Sequence, residues 1–386
     1  MPKKIAPARL TAFHVLEEVA GGGYASDLLR EATASLSPRD AGLAGQLVLG
    51  SLRVQNQLDY LIEQYSGRAA ASLDSEVRMA LRLGIFQLRY LERIPAHAAV
   101  DDAVEFVKRH KRSASGLTNA VLRKVNRDPV PWPNAALQYA CPEWLLAHWT
   151  EHFGQKQAFA IAQAALQEPE PFVRGLTPAV EAERTDVPGC FRLLSPVTND
   201  VRLHDISSQA IVPLLDLRAG QTYLDLCAAP GNKTAQAMEA EPSLAVACDI
   251  SEKRLKSVLQ PLTRVVLDAS EQLPFGQKFD RILIDAPCSG TGTLGRNPEI
   301  KWRVQEPDLV RQQARQVNIL KRAAEVLAPG GKILYATCSL QSQENQEVVK
   351  EAAAAKALQC ERELWRLPGR DPGDGFYAAL LVRRLK

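Results

Sequence analysis

Apolar positions recur three and four apart along the first third of the chain, then give way to short unbroken apolar runs beyond residue 204. Within 76–91, Val77, Leu81, Ile85 and Leu88 form one stripe, while Arg78, Arg82, Arg89 and Arg93 line another face. That period predicts an amphipathic helix. Helices are also expected over 8–19, 40–55 and 98–110, so residues 1–130 read as an all-α domain. The prolines of Asp128-Pro129-Val130-Pro131-Trp132-Pro133 stop the helical pattern. Two more helices are expected over 142–153 and 155–166, and Glu168-Pro169-Glu170-Pro171 is another break. Residues 131–203 are assigned to a connecting subdomain.

From His204 onward strands and helices alternate. The runs 222–226, 244–248, 263–267, 279–284 and 332–336 read as buried strands, with helical stretches such as 308–327 between them. This predicts a doubly wound, mostly parallel α/β sheet over 204–386. Such sheets bind ligands in the crevice beyond the carboxyl ends of their strands. Function is therefore sought at the strand ends.

Composition removes several classes. Hydrophobic residues at 46% and charged residues at 24% suit a globular protein. No apolar run is long enough to span a bilayer, and Met1-Pro2-Lys3-Lys4-Ile5-Ala6-Pro7 lacks the apolar core of a signal peptide. A cytoplasmic location and no membrane partner are expected. Seven cysteines, an odd number without a Cys-x-x-Cys pair, point to free thiols, and the six histidines do not cluster with them. No metal site is expected. The net charge of +3 decides little, but Lys108, Arg109, Lys111, Arg112, Arg123, Lys124 and Arg127 concentrate the basic excess. Phosphate backbones select such a cluster. A solvated helix face is the plainer alternative.

Two cysteines stand directly after strand-like runs, in Asp285-Ala286-Pro287-Cys288-Ser289-Gly290 and in Thr337-Cys338-Ser339. In one parallel sheet, two such thiols would face one cavity. A third strand runs into Cys227-Ala228-Ala229-Pro230-Gly231-Asn232-Lys233-Thr234, whose small residues let the backbone approach a ligand. It is neither a Walker loop nor a G-x-G-x-x-G fingerprint. Asp249 and Asp268 end two further strands, where a carboxylate can accept bonds from ribose hydroxyls. A lone strand-end Asp more often caps a helix; with Asp285, three in register favour a ligand. Cys141, Cys190, Cys248 and Cys360 read as packing residues, and His97 as part of a helix start. Trp302 and Arg303 suit either RNA contact or a loop anchor.

These motifs resemble those of the S-adenosylmethionine-dependent RNA (cytosine-5)-methyltransferases, and Asp374-Gly375-Phe376-Tyr377 resembles that family's closing strand. Gly50-Ser51-Leu52-Arg53, 81–88, 95–100 and 119–123 look like a NusB-like RNA-binding domain. The two fused in this order resemble the branch that methylates 16S rRNA. The resemblance implies S-adenosylmethionine as cofactor and 16S rRNA as partner, free or within a small-subunit precursor. It implies Cys338 as the nucleophile on cytosine C6, Cys288 as the thiol assisting release, and Asp285 at the cytosine edge. Cys227, Ala228, Ala229, Pro230, Gly231, Asn232 and Lys233 would surround the methionine part of the cofactor, with Asp249, Asp268 and Asp285 completing its site. Lys233 is also a candidate for lowering the thiol pKa of Cys338, since a free thiol titrates near ~8.5. A monomer that binds no DNA is expected.

The departures are specific. Asn232 stands where the family has Gly, a position where tolerance of positive φ would matter. His204 replaces a Gln, and the connector over 172–202 is short. The same chemistry on tRNA or another rRNA site, and a non-catalytic ribosome-assembly factor, are the alternative functions.

Overall fold

The stripe over 76–91 forms a helix, Ser75–Tyr90, in the computed structural model, which describes residues 4–175, 181–194 and 202–384. Val77, Leu81 and Ile85 are buried, and Arg82 on another face makes a two-pronged ion pair with Asp59, both contacts 2.6 Å. Pro7–Ala20, Pro38–Arg53 and Ala96–His110 fill the other expected stretches. Pro38 sits in the first turn behind Ser37, whose hydroxyl accepts from the Asp40 N–H at 3.2 Å, the preferred chemistry of a helix start. The expected 40–55 helix stops earlier because Val54 leaves helical geometry (φ −117°, ψ 25°), and Gln55–Ser66 begins a new helix there. Ala25–Ala32 and Ser115–Leu122, eight residues each, are too short for their periodicity to stand out.

Phe13 stacks on Phe106 at 3.8 Å between ring centroids in the helical core. Gly50 is required beside Phe86, since a Cβ there would lie 2.1 Å from the ring. The helical unit comprises Met1–Ala147 together with Ala165–Gln167 and Leu294–Arg303. The last segment lies far along the chain, yet it is bound firmly within this unit. Lys301, 1% exposed, donates to the carbonyls of Arg53 (2.7 Å) and Ala140 (2.9 Å). Trp302 Nε1 donates to Leu52 O at 2.7 Å, and Arg303 donates to Val19 O at 2.6 Å and to Gly22 O at 3.2 Å. Trp302 and Arg303 are thus anchors. All seven residues of the basic cluster are exposed, although Lys124 and Arg127 also donate to backbone carbonyls.

The second unit comprises His148–Ala164, Glu168–Thr293 and Val304–Lys386. Three short strands, β1 (Phe172–Arg174), β2 (Ala182–Arg184) and β3 (Cys190–Leu193), form an antiparallel sheet within the stretch expected to be a connector. Residues 176–180 and 195–201 of that connector lie outside the described residues. The principal sheet contains β4 (Thr222–Asp225), β5 (Leu244–Asp249), β6 (Thr263–Val266), β7 (Phe279–Asp285), β8 (Leu327–Thr337), β9 (Leu358–Arg366) and β10 (Phe376–Arg383). Its order is β6-β5-β4-β7-β8-β10-β9. The first five strands of that order pair parallel, and β10 pairs antiparallel with both β8 and β9. The order reverses beside β4, which creates the crevice where open α/β sheets place ligands. The fold is the expected mostly parallel α/β sheet after an all-α domain.

Candidate active site

The site follows from the register of β7 against β8. Asp285 lies opposite Ala336, and the Ala286 N–H donates to Ala336 O at 2.8 Å. Both strands end together, so Cys288 and Cys338, three and two residues further on, emerge side by side. Their Sγ atoms are 3.4 Å apart. Cys288 is held well above the ordinary thiol range, first by its hydrogen bond with Cys338, then by burial and by the charge of Cys338. The pair is thus arranged for Cys288 to keep its proton within hydrogen-bond reach of Cys338.

Each cysteine is followed by a serine, and both serines converge on Glu344, which is fully buried. Its carboxylate accepts from the Ser289 N–H at 2.8 Å, from the Ser289 and Ser339 hydroxyls, and from Gln316 Nε2 at 3.2 Å. Next in sequence, Asn345 donates to Ser339 O at 2.9 Å. One acidic side chain therefore ties the two cysteine loops together. The Cys288 loop is also pinned by Gly292, whose N–H donates to Cys338 O at 2.8 Å. The Gly375 N–H donates to Gly292 O at 2.7 Å. A Cβ on Gly292 would lie 2.2 Å from Gly375 O, so only glycine fits.

Beyond β4 lies a cavity of about 90 Å³ lined by Ser208, Asp225, Cys227, Ala228, Pro230, Gly231, Asn232, Lys233 and Asp285. Lys233 Nζ is 2.7 Å from Asp285 Oδ2 and 4.8 Å from the centre of the Phe376 ring. The ammonium of Lys233 is thus engaged by Asp285. Asp249 adjoins the loop, accepting from the Ala229 N–H (3.3 Å) and the Ser251 N–H (2.9 Å). Asp268 accepts from the N–H and hydroxyl of Ser270 at 2.9 and 2.7 Å. Each acid thus accepts from the backbone N–H two residues on and closes a local turn.

Asn232 departs from the expectation for its backbone. The left-handed residue is Gly231 (φ 97°), and Asn232 opens the helix Asn232–Met238. Its Nδ2 donates to Leu203 O at 3.0 Å. Asparagine here ties down the segment before the site and carries no unusual φ. His204 is buried, with Nε2 3.0 Å from Ser208 Oγ. Burial, then the charge of Lys233, lowers its pKa to about 3, so it is a neutral hydrogen-bonding residue.

Asp225 and Glu344 escaped the sequence reading. Asp225 is 1% exposed and accepts from the Thr234 hydroxyl (2.7 Å), the Tyr223 hydroxyl (3.1 Å) and the Cys227 N–H (3.4 Å). Burial raises its pKa to about 7 against the Thr234 bond, and the charge of Asp285 adds to the rise. Burial, then the charge of Asp225, also pushes the Cys227 thiol well up, which suits a neutral wall. Asp225 ends a strand as Asp285 does, so position alone could have flagged it. The paired Cys-Ser steps were the only sequence hint that one group binds both loops.

An acid whose folded pKa lies above its unfolded value near ~3.9 retains a proton that unfolding releases. Between about pH 4 and 7 Asp225 therefore makes stability fall as pH rises, by up to ~1.4 kcal/mol per unit. His204 acts oppositely between about pH 3 and 6.5, where unfolding takes up a proton. Denaturant titrations from pH 4.5 to 8 should show Asp225→Asn gaining stability relative to wild type as pH rises. A difference independent of pH would contradict the raised pKa.

A family model described as 16S rRNA methyltransferase RsmB/F matches residues 212–382, and the NusB family matches residues 6–127. Ribosomal RNA small subunit methyltransferase B of Klebsiella pneumoniae (strain 342) is 32% identical, with 100% of both chains covered. The protein of that name from Yersinia enterocolitica is 35% identical over 91% of this chain and 92% of its own. The solved structure of PH0851 superposes with a TM-score of 0.82 at 22% identity, covering 99% of this chain and 100% of that one. NSun6 from Pyrococcus horikoshii, solved with SFG, gives 0.58 at 16% identity over 64% of this chain and 98% of its own. These two structures bear on the fold; the full-length relatives bear on the lineage. With a NusB domain ahead of a methyltransferase sheet and relatives matched from end to end, the chain belongs to the ribosomal RNA small subunit methyltransferase B family.

Proposed function

We propose that this protein methylates C5 of a cytosine in 16S rRNA through a covalent adduct between Cys338 and C6. The single observation that carries the reading is the 3.4 Å approach of the Cys288 and Cys338 sulfurs at the ends of adjacent parallel strands. S-adenosylmethionine is the cofactor, and when bound it supplies an electrophilic methyl group. The cavity suits it: Asp225, beside the Asp285–Lys233 pair, offers a carboxylate to a cationic centre, and Ala228 and Gly231 keep the wall thin.

Cytosine C5 is a weak nucleophile. Addition of the Cys338 thiolate to C6 forms a C–S bond and turns C5 into an enamine-like carbon. Asp285, paired with Lys233 at 2.7 Å, would accept from the N4 amino group and orient the base while ionised, and would draw electrons from the ring only by carrying a proton to N3. Once C5 carries the methyl, its proton must leave so that the C–S electrons return to sulfur. The environment of Cys288 changes at this stage. Bonding of Cys338 to carbon removes the hydrogen bond and the charge that held Cys288 protonated, so Cys288 can release its proton to solvent, and the resulting thiolate accepts the C5 proton. The target base must be unstacked to admit sulfur above its plane, which favours a loop or single-stranded site.

Cys288→Ala is expected to form the adduct and fail to resolve it. Incubated with rRNA and S-adenosylmethionine, it should yield an RNA–protein species that survives denaturing gels. Mass-spectrometric mapping of rRNA nucleosides with and without the gene identifies the product. A missing tRNA mark with unchanged rRNA would move the activity to tRNA, and no change in any 5-methylcytosine would favour an assembly role.

A further inference from the structure

Asp205 opens the helix Ile206–Ile211, its Oδ1 accepting from the Ser207 N–H at 2.9 Å. Capping a helix start needs one side-chain oxygen. Here the second oxygen works elsewhere: Oδ2 accepts from the Asp374 N–H at 3.1 Å, 169 residues along the chain. The turn that leads into β10 is held beside Asp205 at two more points. The Ser207 hydroxyl donates to Pro372 O at 3.0 Å. Gly373 (φ 87°) lies so close that a Cβ on it would be 2.9 Å from both Asp205 oxygens. From this turn the chain runs directly to the reacting groups. The Gly375 N–H donates to Gly292 O, and the Gly292 N–H donates to Cys338 O. Phe376 then presents its ring to Lys233 Nζ, the partner of Asp285. Tyr377 lies opposite Thr337, the residue before Cys338.

We propose that Asp205 is a positioning residue for methyl transfer: through the 372–376 turn it fixes the backbone of Cys338 and the Lys233–Asp285 pair in one register. The links from Asp374 to Cys338 are main-chain hydrogen bonds, so they set where the loop backbone sits rather than how one side chain turns. Freed from Asp205, the turn can shift, and Gly292 and the Cys338 carbonyl shift with it. A misplacement of about 1 Å far from the chemistry can cost ~10²-fold in rate. The need for an acid follows from the same geometry. Serine caps a helix about as well as aspartate, but its single, shorter-reaching oxygen cannot also hold Asp374. Both oxygens of a carboxyl group can accept with or without a proton on it, so the bridge does not depend on the ionisation of Asp205. The effect on catalysis rests on the methyltransferase reading above; the link itself does not.

The test is Asp205→Ser in the full chain, which keeps the cap and removes the bridge, read in two ways. Hydrogen–deuterium exchange, without RNA or S-adenosylmethionine, reports on the link directly. Exchange over 289–293 and 338–341 should quicken by about tenfold, while 206–211 stays as in the wild type. Faster exchange confined to 206–211, or none anywhere, would leave Asp205 a helix cap and overturn the proposal. Steady-state methylation of 16S rRNA is the second measurement. There kcat should fall about tenfold, with the RNA KM and S-adenosylmethionine affinity within about twofold. An unchanged kcat, or a KM shifted as far as kcat, would overturn it. If the wild-type protein methylates no RNA, the methyltransferase reading fails, and exchange still decides the link. Should Asp205→Ser fail to fold by circular dichroism, Ser207→Ala, which releases only Pro372 O, takes its place. Faster exchange in both cysteine segments then sustains the proposal, and unaltered exchange overturns it.

Discussion

Cys338→Ala is expected to abolish methyl transfer, lowering turnover by roughly 10⁴-fold or more while S-adenosylmethionine affinity stays within about twofold. The size of the effect follows from the chemistry. Without a nucleophile at C6, C5 never becomes electron-rich, and no neighbouring group can substitute. In the proposed mechanism Asp285 orients the base and the cavity holds the methyl donor, but neither forms the C–S bond. Cys288 sits 3.4 Å away, and in the proposed mechanism it serves release of the adduct. Single-turnover methylation with tritiated S-adenosylmethionine, alongside equilibrium binding of the cofactor, measures both quantities. Full activity in Cys338→Ala would end the assignment of the nucleophile. The double variant Cys288→Ala/Cys338→Ala should form no adduct, which separates this result from the trapping experiment.

Glu344→Ala is expected to cost of order 3–5 kcal/mol of stability, because about two of its donors lose all pairing at roughly 1–3 kcal/mol each. The donors to Glu344 are the Ser289 N–H, the Ser289 and Ser339 hydroxyls and the Gln316 amide. Without it the two hydroxyls still reach each other, and Gln316 still reaches Pro287 O. Glu344 is a positioning residue, acting on the reaction through the two loops it joins. Its removal should therefore lower kcat more than it raises KM, since the two sulfurs lose their fixed separation. Glu344→Gln preserves the shape and one acceptor oxygen, so it should recover part of both losses. Urea denaturation and steady-state kinetics on the same samples provide the comparison. A drop in stability with unchanged kcat would leave Glu344 a purely structural role.

Most of the fold was legible because it depends on local pattern. The buried strands β4, β5, β7 and β8 are unbroken apolar runs, and Ser75–Tyr90 repeats its stripe at helical spacing. The expectation of β8 began five residues late because Ala328-Pro329-Gly330-Gly331 looks like a turn, yet the strand runs Leu327–Thr337. β9 was missed for a different reason: Leu358–Arg366 is an edge strand rich in charge, with no apolar run to mark it. At the site, Cys288, Cys338, Asp285 and the loop 227–233 carry motifs dense enough to read directly. Asp225 and Glu344 do not. Their importance comes from burial and from partners distant in sequence, as with Glu344 reaching back 55 residues to Ser289. The reversed reading of Asn232 has the same origin, since only coordinates show that the left-handed residue is Gly231.

The segment Leu294–Arg303 belongs to the helical unit, although it is encoded between two strands of the methyltransferase sheet. The halves are therefore not beads that a single cut could part. A gene split after residue 147 would give one product lacking the peptide that satisfies its own carbonyls at Leu52, Arg53 and Ala140. The other product would carry that peptide as an orphan, with Lys301 and Trp302 bared to water. With this stitch in place, simple fission of the gene would not leave two self-sufficient products.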